Sequence, residues 1–192
     1  MQNRIMKIYY LFLFLVLITF SNANAQITKG NWIVGGSLSY IRINDTSPNS
    51  VSDIQSILNI KPIVGYFLKD KFALGLRSEF IRYNGSIIGS NRSSSYSLDF
   101  GPFLRYYFFP ENNRVNLFSE TAYLLSLSKS DASKWASNNG FLINLGPVFY
   151  LNSIVGLEFS LGYSSQFWKN NNGSLNNIRT GIGLQIHLEK AD

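Results

Sequence analysis

Eight successive stretches of this chain alternate apolar with small or polar side chains, and the connections between them are by turns very short and long. A period of two belongs to β-strands, whose side chains point to opposite faces in turn. The stretches cover residues 32–43, 54–68, 72–83, 96–108, 115–127, 140–150, 154–167 and 178–188. Strands of globular proteins average about five or six residues, so eight long ones in succession restrict the possible folds severely. A tilted strand needs roughly 9–11 residues to cross the hydrocarbon of a bilayer, and each stretch meets that length. The pattern predicts an all-β fold, an eight-stranded antiparallel up-and-down transmembrane β-barrel.

The connections set the orientation. Lys69-Asp70-Lys71, residues 109–114 and Leu151-Asn152-Ser153 are tight, with Asp, Asn, Ser and Pro in turn positions. The other four connections, at 44–53, 84–95, 128–139 and 168–177, are longer and rich in Ser, Asn and Gly. In membrane barrels of this kind short periplasmic turns oppose longer extracellular loops, which puts both termini on the periplasmic side.

Each strand has one bulky apolar face and one small, polar or charged face. Leu74, Leu76 and Phe80 oppose Ala73, Gly75, Arg77 and Glu79; Leu98, Phe100, Leu104 and Tyr106 oppose Asp99, Gly101 and Arg105; Ile178, Ile182, Leu184 and Ile186 oppose Arg179, Gly181, Gly183, Gln185 and His187. Two closed forms fit this division. A soluble lipocalin-like periplasmic ligand-binding barrel turns the apolar face inward, and a membrane barrel turns it outward. The polar face is mostly Gly, Ser and Ala with few charges, which suits a crowded interior better than a water-facing surface. Aromatics also gather at the strand ends. Trp32, Tyr66, Phe72, Tyr106, Phe108 and Tyr150 lie near the short turns, and Tyr40, Phe80, Tyr96, Phe141, Tyr163 and Phe167 nearer the long loops. Two such belts are expected at the two membrane interfaces.

The N-terminus reads as an export signal, dividing the chain into a signal peptide at 1–25 and a barrel domain at 26–192. Arg4 and Lys7 precede an apolar run at 8–20, and Ala23-Asn24-Ala25 is a small-x-small cleavage sequence, with cleavage after Ala25. The run is shorter than the roughly 20 residues of a membrane-spanning helix. With no Cys in the chain, disulfides, thiolate metal sites and Cys nucleophiles are excluded. The formal net charge is +6, but the basic residues are dispersed, and an exported chain of this kind is not expected to meet nucleic acid. Arg42, Lys69, Lys71, Arg82, Arg92, Arg114, Lys129, Lys134 and Lys169 fall near the predicted rims, where anionic lipid and lipopolysaccharide phosphates are the expected partners.

On the inward face lie Lys61, Arg77, Arg105 and Arg179 against Glu79, Asp99, Glu120 and Glu158, with Asn59, Asn144, Gln185 and His187 beside them. Isolated charges inside a narrow barrel are costly, so these are expected to pair into a network. Eight strands leave an interior that side chains can fill, which predicts a plugged barrel without a continuous pore. Catalysis by a Ser nucleophile calls for a positioned base, commonly His. The single His, His187, is expected at the periplasmic rim, hydrogen-bonded to water or backbone and far from the loops. No metalloprotease, nucleophile-elbow or phosphate-loop string occurs. No enzymatic activity, cofactor or metal is therefore expected. Trp135 and Trp168, in the long connections, are candidate loop contacts for a surface ligand.

An export signal followed by these eight strands resembles the small outer-membrane β-barrel family of the OmpA/OmpX type, over essentially the whole of 26–192. The resemblance implies residence in the bacterial outer membrane, folding by the barrel-assembly machinery, a monomer, and a structural or surface-interaction role. Members of that family usually finish with an aromatic residue. This chain finishes Leu188-Glu189-Lys190-Ala191-Asp192, with Leu188 at the corresponding place. The alternative functions are a narrow ion- or solute-conducting channel and the soluble ligand-binding barrel.

Overall fold

The computed structural model describes residues 27–44, 54–85, 93–130, 135–167 and 173–189. The signal segment with its cleavage sequence, most of the long connections with Arg92, Lys134, Trp168 and Lys169, and the last three residues lie outside the described residues. The strands are β1 (Trp32–Asn44), β2 (Ile54–Lys69), β3 (Phe72–Gly85), β4 (Ser93–Tyr107), β5 (Val115–Ser130), β6 (Ala136–Tyr150), β7 (Val155–Phe167) and β8 (Ser174–Leu188). They pair antiparallel in chain order and close into a barrel.

At the short-turn end the strand limits agree with the sequence expectation to within a residue. At the loop end they run further: β5 reaches Ser130, β6 begins at Ala136 and β8 at Ser174. These extensions are Ser- and Asn-rich and carry no apolar alternation, yet the ladder continues through Leu127↔Ser137 and Asn139↔Phe167. Ladder hydrogen bonds are made by the backbone, so pairing persists where side chains give no signal.

The short turns are fixed by side-chain acceptors and donors. Asn116, buried, accepts from the Phe109 amide at 2.9 Å and donates to the Phe109 carbonyl at 3.0 Å, bracing the β4–β5 turn. Asn152 Oδ1 accepts from the Ile154 and Val155 amides at 2.8 and 2.7 Å.

The apolar face points outward. Leu76, Leu104 and Leu184 are exposed, whereas Arg77, Glu79, Arg105 and Glu120 are buried around the barrel axis. This is the reverse of a soluble ligand-binding barrel. The inward face is not uniformly small and polar, however. At the short-turn end Ile33, Phe67, Phe103, Tyr107, Phe118 and Val148 form a buried cluster inside the barrel.

Two expectations are corrected by this cluster. Tyr150, placed by sequence in the outer aromatic belt, is buried on the inward face. His187, expected to be solvated at the rim, is fully buried, its ring 5.9 Å from Phe67 and 5.6 Å from Tyr150 between centroids, with Nε2 3.2 Å from Gln185 Oε1. The parity of β8 already put His187 inside; what sequence did not supply was a covering layer beneath it.

Residues 27–31 supply part of that layer. Ile27 is fully buried in the same cluster. Its carbonyl accepts from the Lys71 amide at 2.7 Å, and the Gly30 amide donates to the Phe67 carbonyl at 2.9 Å. The Lys29 amide donates to Asp70 Oδ1 at 2.8 Å, tying the segment to the β2–β3 turn.

Candidate functional site

Above the aromatic cluster the interior is a network of ion pairs. Arg105 on β4 and Glu120 on β5 are direct cross-strand partners. Arg105 donates to Glu120 Oε2 through Nε at 2.8 Å and Nη2 at 2.5 Å, and through Nη1 to Glu158 Oε2 at 2.8 Å. Arg77 Nη1 donates to the other Glu120 oxygen, which also accepts from Asn144 Nδ2 at 3.2 Å. Glu158 accepts in turn from Gln185 Nε2, and Gln185 Oε1 accepts from the Tyr107 hydroxyl at 2.8 Å. The Arg105 guanidinium also lies 4.4 Å from the centroid of the Phe118 ring, where it covers the top of the aromatic cluster.

A second centre forms around Glu79. Arg179 Nη1 approaches Glu79 Oε2 at 2.5 Å, Lys61 Nζ approaches Oε1 at 3.3 Å, and Asn59 Nδ2 donates to Oε1 at 3.0 Å. The structure thus joins Lys61, Arg77, Glu79, Arg105, Glu120, Glu158 and Arg179 by ion pairs in two sets. Asp99 stands apart. It is buried directly opposite Glu79 across the β3–β4 ladder, a like-charge pairing. Among the described residues it forms no ion pair, and its hydrogen-bonding partners include Ser126, its cross-strand neighbour, Ser97 Oγ at 3.5 Å and Gln166 Nε2 at 3.4 Å.

Glycines make the room. Arg77 stands opposite Gly101, Arg179 opposite Gly162 and Glu158 opposite Gly183 in the ladders. A side chain at Gly101 would run into the Tyr123 carbonyl, and one at Gly162 into the Asn144 amide. What free volume remains at the network is a cavity of about 60 Å³ bordered by Lys61, Arg77, Arg105, Glu158 and Arg179. That is space for a few water molecules.

Sequence reasoning passed over Phe103 and Tyr107, although both share the parity of Asp99 and Arg105. The signal is present in the alternation, which puts both on the inward face. Gln166, which bonds to Asp99 and at 3.2 Å to Ser126 Oγ, lay at the loop end where the pattern fades. Of the candidate loop residues, Trp135 is exposed, with Lys129 Nζ 5.8 Å from its ring centroid; Trp168 is outside the described residues. Among the described residues no three of His, Asp and Glu gather as a set of metal ligands.

No protein-family model matches the chain, and no curated relative matches it. Solved structures do. The outer membrane protein OprG from Pseudomonas aeruginosa matches with a TM-score of 0.54 at 13% identity, covering 86% of this chain and 99% of that chain. The N-terminal β-barrel domain of Pseudomonas aeruginosa OprF matches with a TM-score of 0.49 at 13% identity, over 83% of this chain and 98% of that chain. Neisserial surface protein A matches with a TM-score of 0.45 at 17% identity, over 84% of this chain and 97% of that chain. The likeness to OprG is one of fold: the chain has the fold of a small eight-stranded outer-membrane β-barrel.

Proposed function

We propose that this protein is a monomeric resident of the bacterial outer membrane with a structural or surface-interaction role, exported by a signal cleaved after Ala25. It works neither as an enzyme nor as an open channel. The observation that supports this reading is that side chains occupy the interior at two levels. The Arg77–Glu120–Arg105–Glu158 network fills the middle, and the Phe67, Phe103, Tyr107 and Phe118 cluster with Ile27 fills the short-turn end. The carboxylates of the network are engaged by guanidinium groups, and breaking a buried pair of this kind is strongly unfavourable. Ions therefore meet a barrier at two levels.

The outward face supports the membrane assignment. Aliphatic side chains such as Leu145 and Leu161 are exposed in the middle, and Trp32, Tyr106 and Phe108 are exposed at the short-turn end. At the loop end Arg82 lies 5.5 Å from the Tyr96 ring centroid and Lys129 beside Trp135, an arrangement suited to the phosphates of lipopolysaccharide. The long loops, Trp135 and Trp168 included, are the surface offered to an external partner, and the barrel-assembly machinery is the partner during biogenesis.

Purified protein reconstituted into planar bilayers tests the reading. It is expected to give no unitary conductance steps, with a heat-modifiable band on gels showing that the barrel is folded. Reproducible single-channel currents from that folded material would replace this reading with the narrow channel.

A further inference from the structure

The β1–β8 seam that closes the barrel is the shortest of its ladders. β1 pairs with β8 only from Trp32↔Leu188 to Gly36↔Leu184. Beyond that point β1 continues to Asn44 and β8 extends back to Ser174 with no ladder pairing across the seam among the described residues. On their other sides the two strands remain paired, β1 with β2 up to Asn44↔Ile54 and β8 with β7 up to Phe167↔Ser174. The gap begins at Gly36, where φ is 145° and a side chain would collide with the Lys61 carbonyl, so only glycine suits the place where the strands part.

Unpaired backbone at membrane depth is tolerated only where it lines a polar cavity or is buried in protein. The gap meets that condition. An open groove of about 680 Å³ lies along it, bordered by the inward-facing residues Ser37, Lys61 and Ser160 and the outward-facing residues Leu38, Phe159 and Ile182. The groove thus borders polar inward-facing and apolar outward-facing side chains, and its volume lies in the range of ligand sites, about 300–1,000 Å³.

The charge at its inner edge is positive. Lys61 and Arg179 keep 25% and 23% of their side-chain surface exposed, while the Glu79 they share keeps 3%. Lys61 borders the groove, Arg179 borders the small cavity next to it together with Lys61, and the Glu79 they share is sealed. Asp99 is sealed as well, and Glu158 is held by Arg105 and Gln185.

We propose that the β1–β8 gap is a lateral binding site for a single-chain anionic amphiphile drawn from the surrounding membrane. Its acyl chain lies against Leu38, Phe159 and Ile182, and its carboxylate or phosphate head group sits at Lys61 and Arg179. The proposal rests on the membrane-barrel reading above and does not require a conducting pore, because the site is reached from the lipid side.

The chain has no Cys, so the gap is tested directly by paired substitutions. Val34 and Ile186 are partners in the seam, and Leu38 and Ile182 would be partners if the same register continued. In phosphatidylcholine vesicles under mild oxidation, Val34→Cys/Ile186→Cys is expected to cross-link within one molecule and Leu38→Cys/Ile182→Cys is not. Equal cross-linking of both pairs, or disulfide-linked dimers through Leu38→Cys alone, would overturn the proposal, the second result in favour of strand pairing between two copies.

Binding is read with 11-(dansylamino)undecanoate as the fluorescent probe. Saturable enhancement is expected with the wild-type barrel, at least tenfold weaker with Lys61→Gln/Arg179→Gln, and at least tenfold weaker for the methyl ester of the probe. Gly181→Leu places a side chain near Ser160 in the groove without replacing a charged residue and is expected to abolish binding. It decides the question where the double variant does not fold. Unchanged affinity in Gly181→Leu, or equal affinity for acid and ester, would overturn the site. Gel heat-modifiability is followed throughout: its loss from the wild type would sink the membrane-barrel reading, whereas its retention without probe binding would sink this site alone.

Discussion

Glu120 and Asp99 are both buried acids on the inward face, yet their surroundings give them opposite energetic roles. Glu120 is held by two guanidinium groups and an amide. Asp99 faces Glu79 across the ladder and is held by Ser126, Ser97 and Gln166 rather than by an ion pair. Removing one member of a buried ion pair leaves the other uncompensated, at a cost of about 3–5 kcal/mol, so Glu120→Ala is expected to lower barrel stability by that order. Asp99→Asn removes a like-charge opposition, which costs up to about 1 kcal/mol, and is expected to leave stability unchanged or slightly raised. Urea titration of the refolded barrels, followed by the heat-modifiable gel shift, measures both. Equal losses for the two variants would show that position inside the barrel, rather than pairing, sets the cost. This difference between two acids of the same face was not legible in the sequence. Parity assigned each to the interior, but which cation reaches which carboxylate depends on tilt and stagger around a closed barrel, and Arg179 reaches Glu79 across 100 residues of chain.

At the scale of the strand, legibility follows the chemistry that each end must satisfy. The short-turn ends were readable because Asp70, Pro110 and Asn152 interrupt the alternation sharply. The loop ends were not, since Ser- and Asn-rich ladder looks like loop when only side chains are considered. The aromatic cluster at the short-turn end was half legible: the alternation carries the inward parity of Phe103, Tyr107 and His187, but not the apolar plug they build. Ile27 completes that plug from outside the strands. Truncating a buried Ile costs about 2–5 kcal/mol, and Ile27→Ala is expected to fall in that range although the residue belongs to no strand. A urea midpoint equal to that of the wild type would mean that residues 27–31 merely rest against the barrel end. Asp70→Ala, which removes the acceptor for the Lys29 amide, is expected to have a smaller effect in the same assay, because the Lys71 and Gly30 backbone bonds remain.

For the molecule as a whole, the division of faces decides what solvent the barrel was made for. In water, an exposed Leu replaced by Arg is close to neutral. In hydrocarbon the same change costs about 2–4 kcal/mol at the bilayer midplane and about 0–1 near the interfaces. Leu161, 57% exposed, sits in the middle of β7 between Leu145 and Thr180, while Tyr40, 62% exposed, lies towards the loop end of β1. Their exposures are similar, so burial within the protein does not distinguish them; only depth in a membrane does. Leu161→Arg is therefore expected to destabilise the vesicle-inserted barrel by the larger amount and Tyr40→Arg by the smaller. Reversible denaturant unfolding in phosphatidylcholine vesicles measures the contrast. If both changes were neutral, and if the variants stayed in solution without detergent, the apolar outer face would not be facing lipid.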